Sequence, residues 1–433
     1  MTTATLDVTM PKLSDSMEEA TILRWLKRPG EPVRKGAPLV EVETDKATMV
    51  YDAEFNGTLD EIVVDEGGTA LLGAVIARAS SELPEAPVAE APAKEPAEPK
   101  PAASAAPAPD ETGELEFREA LRQALDEELA RDESVIFFGE DVAIAGGVFA
   151  VTTGLYEKYG PERVFDTPIS ELAMTGAAFG AAVTGKRPVL EIMFGDFLAL
   201  SMDSLINQAT KHWFLTEERR SAPIVIRSVV GAGGRFGAIH SQMPISWLMG
   251  VTGLKIVAPS SPADAKGLLK AAIRDDNPVV FFEHKRLYSN KGPAPAGDEV
   301  VPLGKASIVR EGSDVTLVSV MKGVHDCLAA AEALAERGVS AEVIDLRTLR
   351  PLDTETILGS LAKTNRIAVV EEGPITGGWA GEVLAIVTEQ GLSDIDDAWR
   401  IATDNTPIPY SPPLEDAFLP GPERIAAEVL ARR

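Results

Sequence analysis

The spacing of hydrophobic and polar positions differs between regions of the chain. In the N-terminal region, before residue 80, the two kinds of position alternate in short runs. In EVETDKATMV, residues 41–50, apolar positions flank a polar tip. Alternation with a period of two predicts strands, and two short strands around a polar tip predict a β-hairpin. The tip exposes Lys46. On this stretch alone Lys46 is either a solvated surface lysine or a chemically used side chain.

An internal repeat predicts that this first part has two similar halves. The segments GEPVRKGAPL (30–39) and GGTALLGAVI (67–76) share the spacing of two glycines and the aliphatic residues that follow them. A repeat within one small β-rich unit indicates halves that pack face to face about a pseudo-twofold axis. The segment Asp45-Lys46-Ala47 joins the halves, so we expect it at one end of the sandwich, remote from the residues that follow the unit.

The pattern then stops for residues 80–112, which are mostly Ala, Pro and Glu. Because this segment has hardly any large apolar side chain, it cannot bury enough surface to fold. Proline at this density favours an extended chain with a rise of roughly 3.1 Å per residue, so the segment reaches on the order of 100 Å. We predict a tether between two folded bodies.

From Gly113 onward, helical and strand patterns alternate. EFREALRQALDEELARDES predicts a helix, and VIFFGED after it predicts a buried strand. The apolar positions at helical spacing are Phe117, Leu121, Leu125 and Leu129. After about residue 300 the pattern restarts, and SDVTLVSV, AEVIDLRTL and RIAVVEE predict strands of a second α/β unit. Alternation of this kind indicates doubly wound sheets.

Composition narrows the classes of function. The net charge of −26 argues against a nucleic-acid or anionic-membrane surface. The single cysteine, Cys327, excludes an intrachain disulfide and fits a reducing compartment. No apolar run approaches the ~18 residues of a membrane span, and the N-terminus resembles neither a signal nor a transit peptide. We expect a soluble, cytoplasmic, multidomain protein.

Two further residues are candidates for chemistry. Glu171, in DTPISELAMTGAAFGAA, precedes a helix and is either a helix-start acid, worth about 0.3–1 kcal/mol, or a functional carboxyl group. His240, in GAGGRFGAIHSQ, is either an acid–base residue, a role that histidine commonly takes, or a structural residue. The chain has no phosphate-binding P-loop and no zinc-ligand spacing.

The first part resembles a known family. MPKLSDSMEEATILRWLKRPGEPVRKG, ETDKA and GTLDEIVVDEG are similar to the lipoyl domains of 2-oxo acid dehydrogenase complexes. The resemblance implies that a lipoylating enzyme attaches lipoate to Lys46 through an amide. Biotin-carrier relatives usually have Met on both sides of this lysine, so Asp45 and Ala47 favour lipoate.

Residues 113–433 resemble the β subunit of the thiamin-diphosphate-dependent decarboxylase component of the same complexes. The resemblance rests on GEDV, RVFDTPISE, RPVLEIMFGDF, INQATKHW and IRDDNPVVFFEHKRLY. It implies two transketolase-type α/β domains behind a β-sandwich lipoyl domain of the barrel-sandwich hybrid type. The expected parts are a lipoyl domain (5–79), a flexible linker (80–112), a pyrimidine-binding domain (113–300) and a C-terminal domain (301–433).

The family's functional residues carry over by position. The resemblance implies that Glu171 hydrogen-bonds N1′ of the cofactor's aminopyrimidine ring. Phe197 would pack against that ring, or serve as a core residue, and His240 would position or protonate the lipoyl dithiolane at the mouth of the site. It also implies a potassium site, formed largely by carbonyl oxygens, at Ile224, Ala272, Ile273, Asp275 and Asn277.

One family motif is absent from the sequence. The family binds the diphosphate and Mg²⁺ through a G-D-G motif that an Asn follows some residues later, and this chain contains no GDG. We therefore expect a separate α subunit to bind the diphosphate and Mg²⁺ in an α2β2 assembly. This absence also excludes a self-sufficient transketolase-like enzyme.

The resemblance implies further partners, namely a dihydrolipoyl acyltransferase core and a dihydrolipoyl dehydrogenase. The chain is not the acyltransferase itself, because it has no H-x-x-x-D-G motif near its C-terminus. The implied activity is the decarboxylation or cleavage of a substrate with reductive acylation of lipoamide, and the alternative is a non-catalytic lipoyl carrier or assembly subunit. Pyruvate, acetoin and branched-chain 2-oxo acids are all open as substrates.

Overall fold

A computed structural model of the chain describes residues 3–10, 19–34, 37–43, 48–53, 55–82, 113–295 and 298–433. The chain divides into two compact units, Met1–Glu98 and Pro99–Arg433, and each is described by itself. Lys46 and most of the predicted linker lie outside the described residues. The tether and the placement of Lys46 at one end of the sandwich therefore stay predictions.

The described residues of the N-terminal unit form eight strands in two antiparallel sheets. The strands are β1 Thr3–Thr9, β2 Glu19–Trp25, β3 Pro32–Val33, β4 Pro38–Glu43, β5 Thr48–Asp52, β6 Gly57–Ile62, β7 Thr69–Leu71 and β8 Val75–Glu82. One sheet has the order β1-β8-β6-β3 and the other has the order β5-β4-β2-β7. Replacing each strand of the first sheet by the strand four places away in chain order gives the second sheet, as a pseudo-twofold axis requires.

The hydrogen bonds of this unit repeat in the same way. Gly30 N donates to Leu59 O at 2.7 Å, and the counterpart Gly67 N donates to Ile22 O at 2.7 Å. Both glycines have a positive φ, of 91° and 84°, which favours glycine. Ile22 and Leu59 are both fully buried, so the two halves contribute equivalent side chains to one core. The predicted pair of similar halves is confirmed.

The predicted hairpin is confirmed on both sides of its tip. β4 and β5 pair antiparallel, with Glu43 opposite Thr48 and Val42 opposite Met49. The connecting residues 44–47, which include Lys46, lie outside the described residues.

The C-terminal unit begins with a parallel sheet and its helices. Its strands are β9 Glu114–Glu116, β10 Val135–Gly139, β11 Val164–Asp166, β12 Arg187–Ile192, β13 Val225–Val230, β14 Lys255–Val257, β15 Val279–His284 and β16 Lys291–Pro293. The α-helices are α1 Phe117–Arg131, α2 Leu155–Tyr159, α3 Glu171–Val183, α4 Leu198–Met202, α5 Thr210–Leu215, α6 Ile245–Leu248 and α7 Pro262–Arg274. Short 3₁₀ helices cover Gly195–Phe197 and Lys285–Leu287, and a π-helical segment covers Asp203–Ala209.

The rest of the unit forms a second α/β layer structure. Its strands are β17 Ser307–Arg310, β18 Val315–Ser319, β19 Ala341–Asp345, β20 Thr348–Arg350, β21 Arg366–Pro374 and β22 Asp397–Thr403. Its α-helices are α8 Lys322–Ala335, α9 Thr354–Thr364, α10 Ala380–Gly391, α11 Pro412–Phe418 and α12 Pro422–Ala431, and a 3₁₀ helix covers Leu392–Asp394.

Two parallel sheets confirm the predicted α/β fold class. The first has the order β11-β10-β12-β13-β15-β14-β20, and the second has the order β17-β19-β18-β21-β22. All pairs are parallel except those that the edge strands β20 and β17 make. The predicted first helix is α1, and all four of its predicted apolar positions are buried. β9 and β16 form a separate antiparallel pair.

The run AEVIDLRTL departs from the sequence-based expectation. It was expected to contribute only to the second α/β unit, but it forms β19 in the second sheet and β20 at the edge of the first. The chain turns at Arg347, whose φ is 59°, and Arg347 N donates to the Asp345 carboxylate at 2.9 Å. One hydrophobic core extends across both α/β domains and includes Val318 and Ile344, while the second domain also has a separate core that includes Leu317 and Val343. Among the described residues, no helix combines the length and the apolar character that crossing a membrane requires.

Candidate active site

Five neighbouring parallel strands of the first sheet bring functional side chains to one edge. The strands lie in the order β11-β10-β12-β13-β15. The residues that follow their carboxyl ends include Glu171 after β11, Glu140 after β10, Phe197 after β12, His240 after β13 and Lys285 after β15. Ligands of open α/β sheets bind beyond the carboxyl ends of the strands. The three predicted residues Glu171, Phe197 and His240 therefore all lie at the expected edge.

Glu171 is the first residue of α3 and is 6% exposed. Its main-chain carbonyl accepts hydrogen bonds from Thr175 Oγ1 at 2.8 Å and from Ser201 Oγ at 3.3 Å, which fixes the start of the helix. None of the described residues donates to its side-chain carboxyl group. Neither of its carboxyl oxygens is among the fully buried unpaired atoms of the described residues, so the group reaches the surface at this edge. It can accept a hydrogen bond from a ligand that binds there.

Glu140, which we did not predict, lies beside Glu171. Burial raises the pKa of Glu140, and the nearby carboxyl groups of Glu171 and Asp141 raise it further. Its Oε1 atom is buried and has no hydrogen-bond partner among the described residues. The sequence did carry a signal, because Glu140 directly follows the buried strand β10 at the edge where ligands bind.

His240 stands among aromatic rings. Its imidazole lies edge-on to Phe194, with ring centroids 4.7 Å apart, and edge-on to Phe197 at 5.3 Å. Phe194 and Phe197 are themselves in edge contact at 6.1 Å. Phe197 is half-buried, so one part of its ring packs in the protein while the rest stays accessible to a ligand. Both interpretations of Phe197, as a core residue and as a ring-packing residue, fit this position.

The segment 231–242, here called the histidine loop, is fastened to the turn after β12. Gln242 donates from Nε2 to Asp196 Oδ1 at 2.9 Å and from its main-chain N to the same atom at 3.3 Å. The other oxygen of this carboxylate, Oδ2, is buried and has no partner among the described residues. Neither residue was predicted from the sequence, since an acidic residue and an amide 46 positions apart show no local pattern.

Lys285 also contacts the histidine loop, and we did not predict it either. Its ammonium group donates to the main-chain carbonyl of His240. The Nζ atom lies 5.3 Å from the ring centroid of Phe194 and 4.7 Å from that of Phe236. Burial lowers the pKa of Lys285 to about 8, and nearby carboxylates, of which Asp196 is the strongest, oppose that shift.

Exposed apolar side chains rim the site. Ile169 and Leu172 stand on either side of the buried Glu171 and are 82% and 54% exposed. Leu200, in α4 after Phe197, is 55% exposed. Exposed apolar residues near a polar site are typical of a surface that contacts another protein.

The five predicted potassium ligands lie at the opposite edge of the sheet. Ile224 precedes β13 and Asn277 precedes β15, so both stand at the amino ends of strands. The guanidinium group of Arg187 donates to the carbonyls of Ile273 at 2.8 Å and Asp275 at 2.6 Å. The structure thus brings these residues together but separates them from Glu171 and His240. A carbonyl oxygen has two lone pairs, so each retains one acceptor site for a cation.

Comparisons with protein-family models cover both units. A model described as "Transketolase, pyrimidine binding domain" matches residues 113–291, and "Transketolase, C-terminal domain" matches residues 304–425. A model described as "Biotin-requiring enzyme", which covers biotin and lipoyl domains, matches residues 6–78. A solved structure, "Split gene transketolase, inactive beta4 tetramer", matches 73% of this chain and 97% of its own with a TM-score of 0.59 and 21% identity, which supports the fold alone.

Curated relatives extend the match to whole subunits. The chain is 39% identical to pyruvate dehydrogenase E1 component subunit beta of Rhizobium meliloti, over 98% of this chain and 99% of the relative. It is 44% identical to acetoin:2,6-dichlorophenolindophenol oxidoreductase subunit beta of Cupriavidus necator, over 72% of this chain and 96% of the relative. It is also 44% identical to 2-oxoisovalerate dehydrogenase subunit beta of Bacillus subtilis, over 72% and 97%.

The lengths of these matches show which relatives have a counterpart of the N-terminal unit. The Rhizobium meliloti relative aligns over almost the whole chain, so it includes a counterpart of the N-terminal domain. The other two relatives align almost completely with about 72% of this chain. The chain belongs to the β subunits of the E1 component of 2-oxo acid dehydrogenase complexes, and it carries an N-terminal lipoyl-type domain.

Proposed function

We propose that this chain forms the aminopyrimidine half of a thiamin-diphosphate site and carries its own lipoyl arm. With an α subunit it would decarboxylate or cleave its substrate and transfer the acyl group to lipoamide. The observation that carries the proposal is the carboxyl group of Glu171, a residue that is 6% exposed and whose carboxyl group accepts no hydrogen bond from the described residues. It opens at the edge where Phe197 and His240 meet, inside an apolar rim.

The residues at this edge fit the cofactor. Glu171 would hold the ring nitrogen N1′ by a hydrogen bond, and Phe197 would pack against the ring with its accessible part. Thiamin diphosphate supplies the carbon nucleophile and the electron sink for the reaction. Glu140, whose pKa burial raises, is suited to keep a proton beside Glu171.

His240 would act when the acyl group leaves the site. In reductive acylation the disulfide bond of lipoamide breaks, one sulfur forms a bond to the acyl carbon, and the other sulfur takes a proton. For a 2-oxo acid, the electron pair that reduces the disulfide is the pair left behind by the departing CO2. The imidazole of His240, edge-on to Phe194 and Phe197, would position the dithiolane and donate that proton.

Lys46 would carry the lipoyl group. The family match over residues 6–78 and the D-K-A sequence at the β4–β5 connection support this assignment. The linker of residues 80–112 would keep the arm within reach of the active sites and of the acyltransferase core. Flexible linkage of this kind gives effective concentrations in about the mM range.

The α subunit would complete the site in an α2β2 assembly. The missing GDG motif supports the assignment of the diphosphate and Mg²⁺ to that subunit, and the exposed Ile169 and Leu172 offer it an apolar surface. A dihydrolipoyl acyltransferase core, a dihydrolipoyl dehydrogenase and a lipoylating enzyme would be the other partners. A cytoplasmic location stays a prediction.

A potassium ion at the amino edge of the sheet would be structural. The supporting observation is the set of main-chain carbonyls at the end of α7, where helix geometry favours positive charge. Arg187 already places a guanidinium group against two of these carbonyls, so it competes with the ion. Thermal unfolding in potassium and in sodium buffers tests the site, and equal midpoints would contradict it.

The substrate class follows from none of these residues alone. The relatives are named for pyruvate, acetoin and 2-oxoisovalerate, so all three classes stay open for this chain. In the proposed assembly the α subunit would contribute to the substrate pocket, and fold alone does not select among substrates.

The experiment is a rate assay on the chain co-expressed with its α subunit. Thiamin diphosphate, Mg²⁺ and an artificial electron acceptor are supplied, and pyruvate, acetoin and branched-chain 2-oxo acids are offered in turn. Turnover of one substrate that Glu171→Gln abolishes would support the proposal and identify the substrate. A stable α–β assembly that turns over none of them would favour the non-catalytic carrier or assembly subunit.

A further inference from the structure

We propose that Lys285 is a positioning residue for His240, and that its charged side chain holds the histidine loop in the geometry that acyl transfer to lipoamide needs. The inference rests on the proposed function of His240. It adds a residue from a neighbouring strand end that does not itself touch the reacting atoms.

Two of the three contacts of Lys285 are with the histidine loop, and the third is with Phe194, whose ring packs against His240. The ammonium group donates to the carbonyl of His240, and its Nζ faces the rings of Phe194 at 5.3 Å and Phe236 at 4.7 Å. A charge-assisted hydrogen bond and two cation–ring contacts are stronger in a desolvated position than on the surface. Lys285 is 9% exposed, so these contacts are largely shielded from water.

The contacts also explain how Lys285 would fix the position of the His240 imidazole. Phe236 and His240 belong to the same loop, and Phe194 contacts the His240 ring edge-on at 4.7 Å. Lys285 therefore touches both the backbone of His240 and an aromatic ring that packs against its side chain. Removing the charge would loosen both supports at once while leaving Glu171 and its helix unchanged.

The carboxylates that face Lys285 come from three different elements. Asp196 lies in the turn after β12, Glu372 in β21 and Glu415 in α11, and each favours the charged ammonium group. Burial outweighs them and lowers the pKa of Lys285 to about 8. The charge is therefore present near neutral pH and is lost as the pH rises through about 8.

The effect of this pKa on folding stability has the opposite direction to its expected effect on acyl transfer, so the two can be distinguished. A lysine whose pKa is lower in the folded than in the unfolded state binds its proton less well when folded. Its contribution to stability therefore increases as the pH rises from about 8 towards its ordinary value of about 10.4. Acyl transfer should decline above about pH 8, whereas this group gives no reason for the fold to weaken.

The test uses the complete α–β assembly and two assays. One assay follows reductive acylation of lipoamide, and the other follows oxidation by an artificial acceptor, which does not require His240 to engage the dithiolane. Lys285→Met removes the charge with little change in length, and Lys285→Arg retains it. Lys266→Met is the matched control, because Lys266 is also buried (6% exposed) but pairs with Glu127 in a different part of the domain.

We expect Lys285→Met to lower reductive acylation roughly 10–100-fold, as for a misplaced catalytic group. The artificial-acceptor rate should stay within about twofold of wild type. The decline of reductive acylation above about pH 8 should disappear in Lys285→Met, and Lys285→Arg should recover part of the rate. Lys266→Met should change neither the ratio of the two rates nor the pH profile of reductive acylation. Equal losses in both assays, or no loss in either, would overturn the proposal.

A second readout does not depend on turnover. Hydrogen–deuterium exchange of peptides covering 231–242 should rise in Lys285→Met and stay unchanged in Lys266→Met. If the wild-type assembly turns over no substrate, the proposed function fails, and this exchange decides whether Lys285 holds the loop. Unchanged exchange in Lys285→Met would refute the positioning role.

Discussion

The two units of this chain place their chemistry in opposite ways. In the N-terminal unit, two equivalent halves form a sandwich of two sheets, and Lys46 belongs to the sequence that connects β4 and β5. In the C-terminal unit, the candidate side chains come from the ends of five neighbouring strands, and exposed apolar residues surround them. Under the proposed function, the first unit would act as a carrier by itself, whereas the second would supply only part of a site.

The two units also treat charge differently. None of the described charged residues of the N-terminal unit is buried, and its ion pairs, such as Arg24 with Glu41, lie at the surface. In the C-terminal unit, Arg227 is 1% exposed and bonds the buried carboxylates of Glu191 and Glu283. Exposed pairs contribute little, while breaking a buried pair is costly. We expect stability to depend on pH mainly through the C-terminal unit.

The largest expected effect concerns the carrier. Lys46→Arg should abolish lipoylation completely, because arginine cannot form the amide, and mass spectrometry of the purified chain checks this. The same variant with the α subunit should keep the wild-type rate with an artificial acceptor. A lipoylated Lys46→Arg chain would show that the attachment site lies elsewhere.

The next effect concerns the partial site. Glu171→Gln should lower turnover with the artificial acceptor by about 10²–10⁴-fold, as for loss of a general acid–base group. The change is nearly isosteric, so the melting temperature of the C-terminal unit should hardly move. Glu140→Gln is the comparison variant and should cost less, because Glu140 acts beside Glu171. A larger loss in Glu140→Gln would reverse the roles assigned to the two carboxyl groups.

The buried carboxyl group of Asp345 tests whether the pH dependence of stability comes from the C-terminal unit. Burial and Asp264 raise the pKa of Asp345 to about 7, and Ser260 donates to its carboxylate. Since the folded state binds this proton more tightly, the stabilisation present at low pH is lost as the pH rises towards about 7. The loss for wild type should be roughly 2–3 kcal/mol between about pH 5 and about pH 8.

The variant Asp345→Asn should remove that dependence. The neutral amide keeps an acceptor, and the Ser260 hydroxyl can turn to accept from the amide. Denaturant unfolding at the two pH values measures the difference, with the transition of the N-terminal unit as an internal reference. An equal pH dependence in variant and wild type would mean that another group is responsible.

The smallest effect tests the symmetry of the carrier. Gly30 and Gly67 have φ of 91° and 84°, and a Cβ at either position would meet nothing within 4 Å. Alanine at either site should therefore cost only the conformational penalty, about 1–2 kcal/mol, and nearly the same amount at both. Thermal unfolding of the two variants measures it, and a clear difference would show that the two halves are not energetically equivalent.

Much of this arrangement is visible in the sequence, and the exceptions have physical causes. Periodicity and the Gly30/Gly67 repeat predict local elements and their symmetry, because both depend on nearby residues. Lys285 and Asp196 were missed, because their roles come from strands that are adjacent in the sheet but far apart in the chain. The split of AEVIDLRTL between two sheets was missed too, since it depends on a left-handed turn at an arginine, Arg347.

The most direct test of the incomplete site is cofactor binding by calorimetry. Thiamin diphosphate with Mg²⁺ is titrated into the purified chain alone, into the α subunit alone and into the α–β assembly. The account predicts weak binding to the chain alone and tight binding to the assembly, with Glu171→Gln weakening the latter. Tight binding and full turnover by the isolated chain would contradict the account.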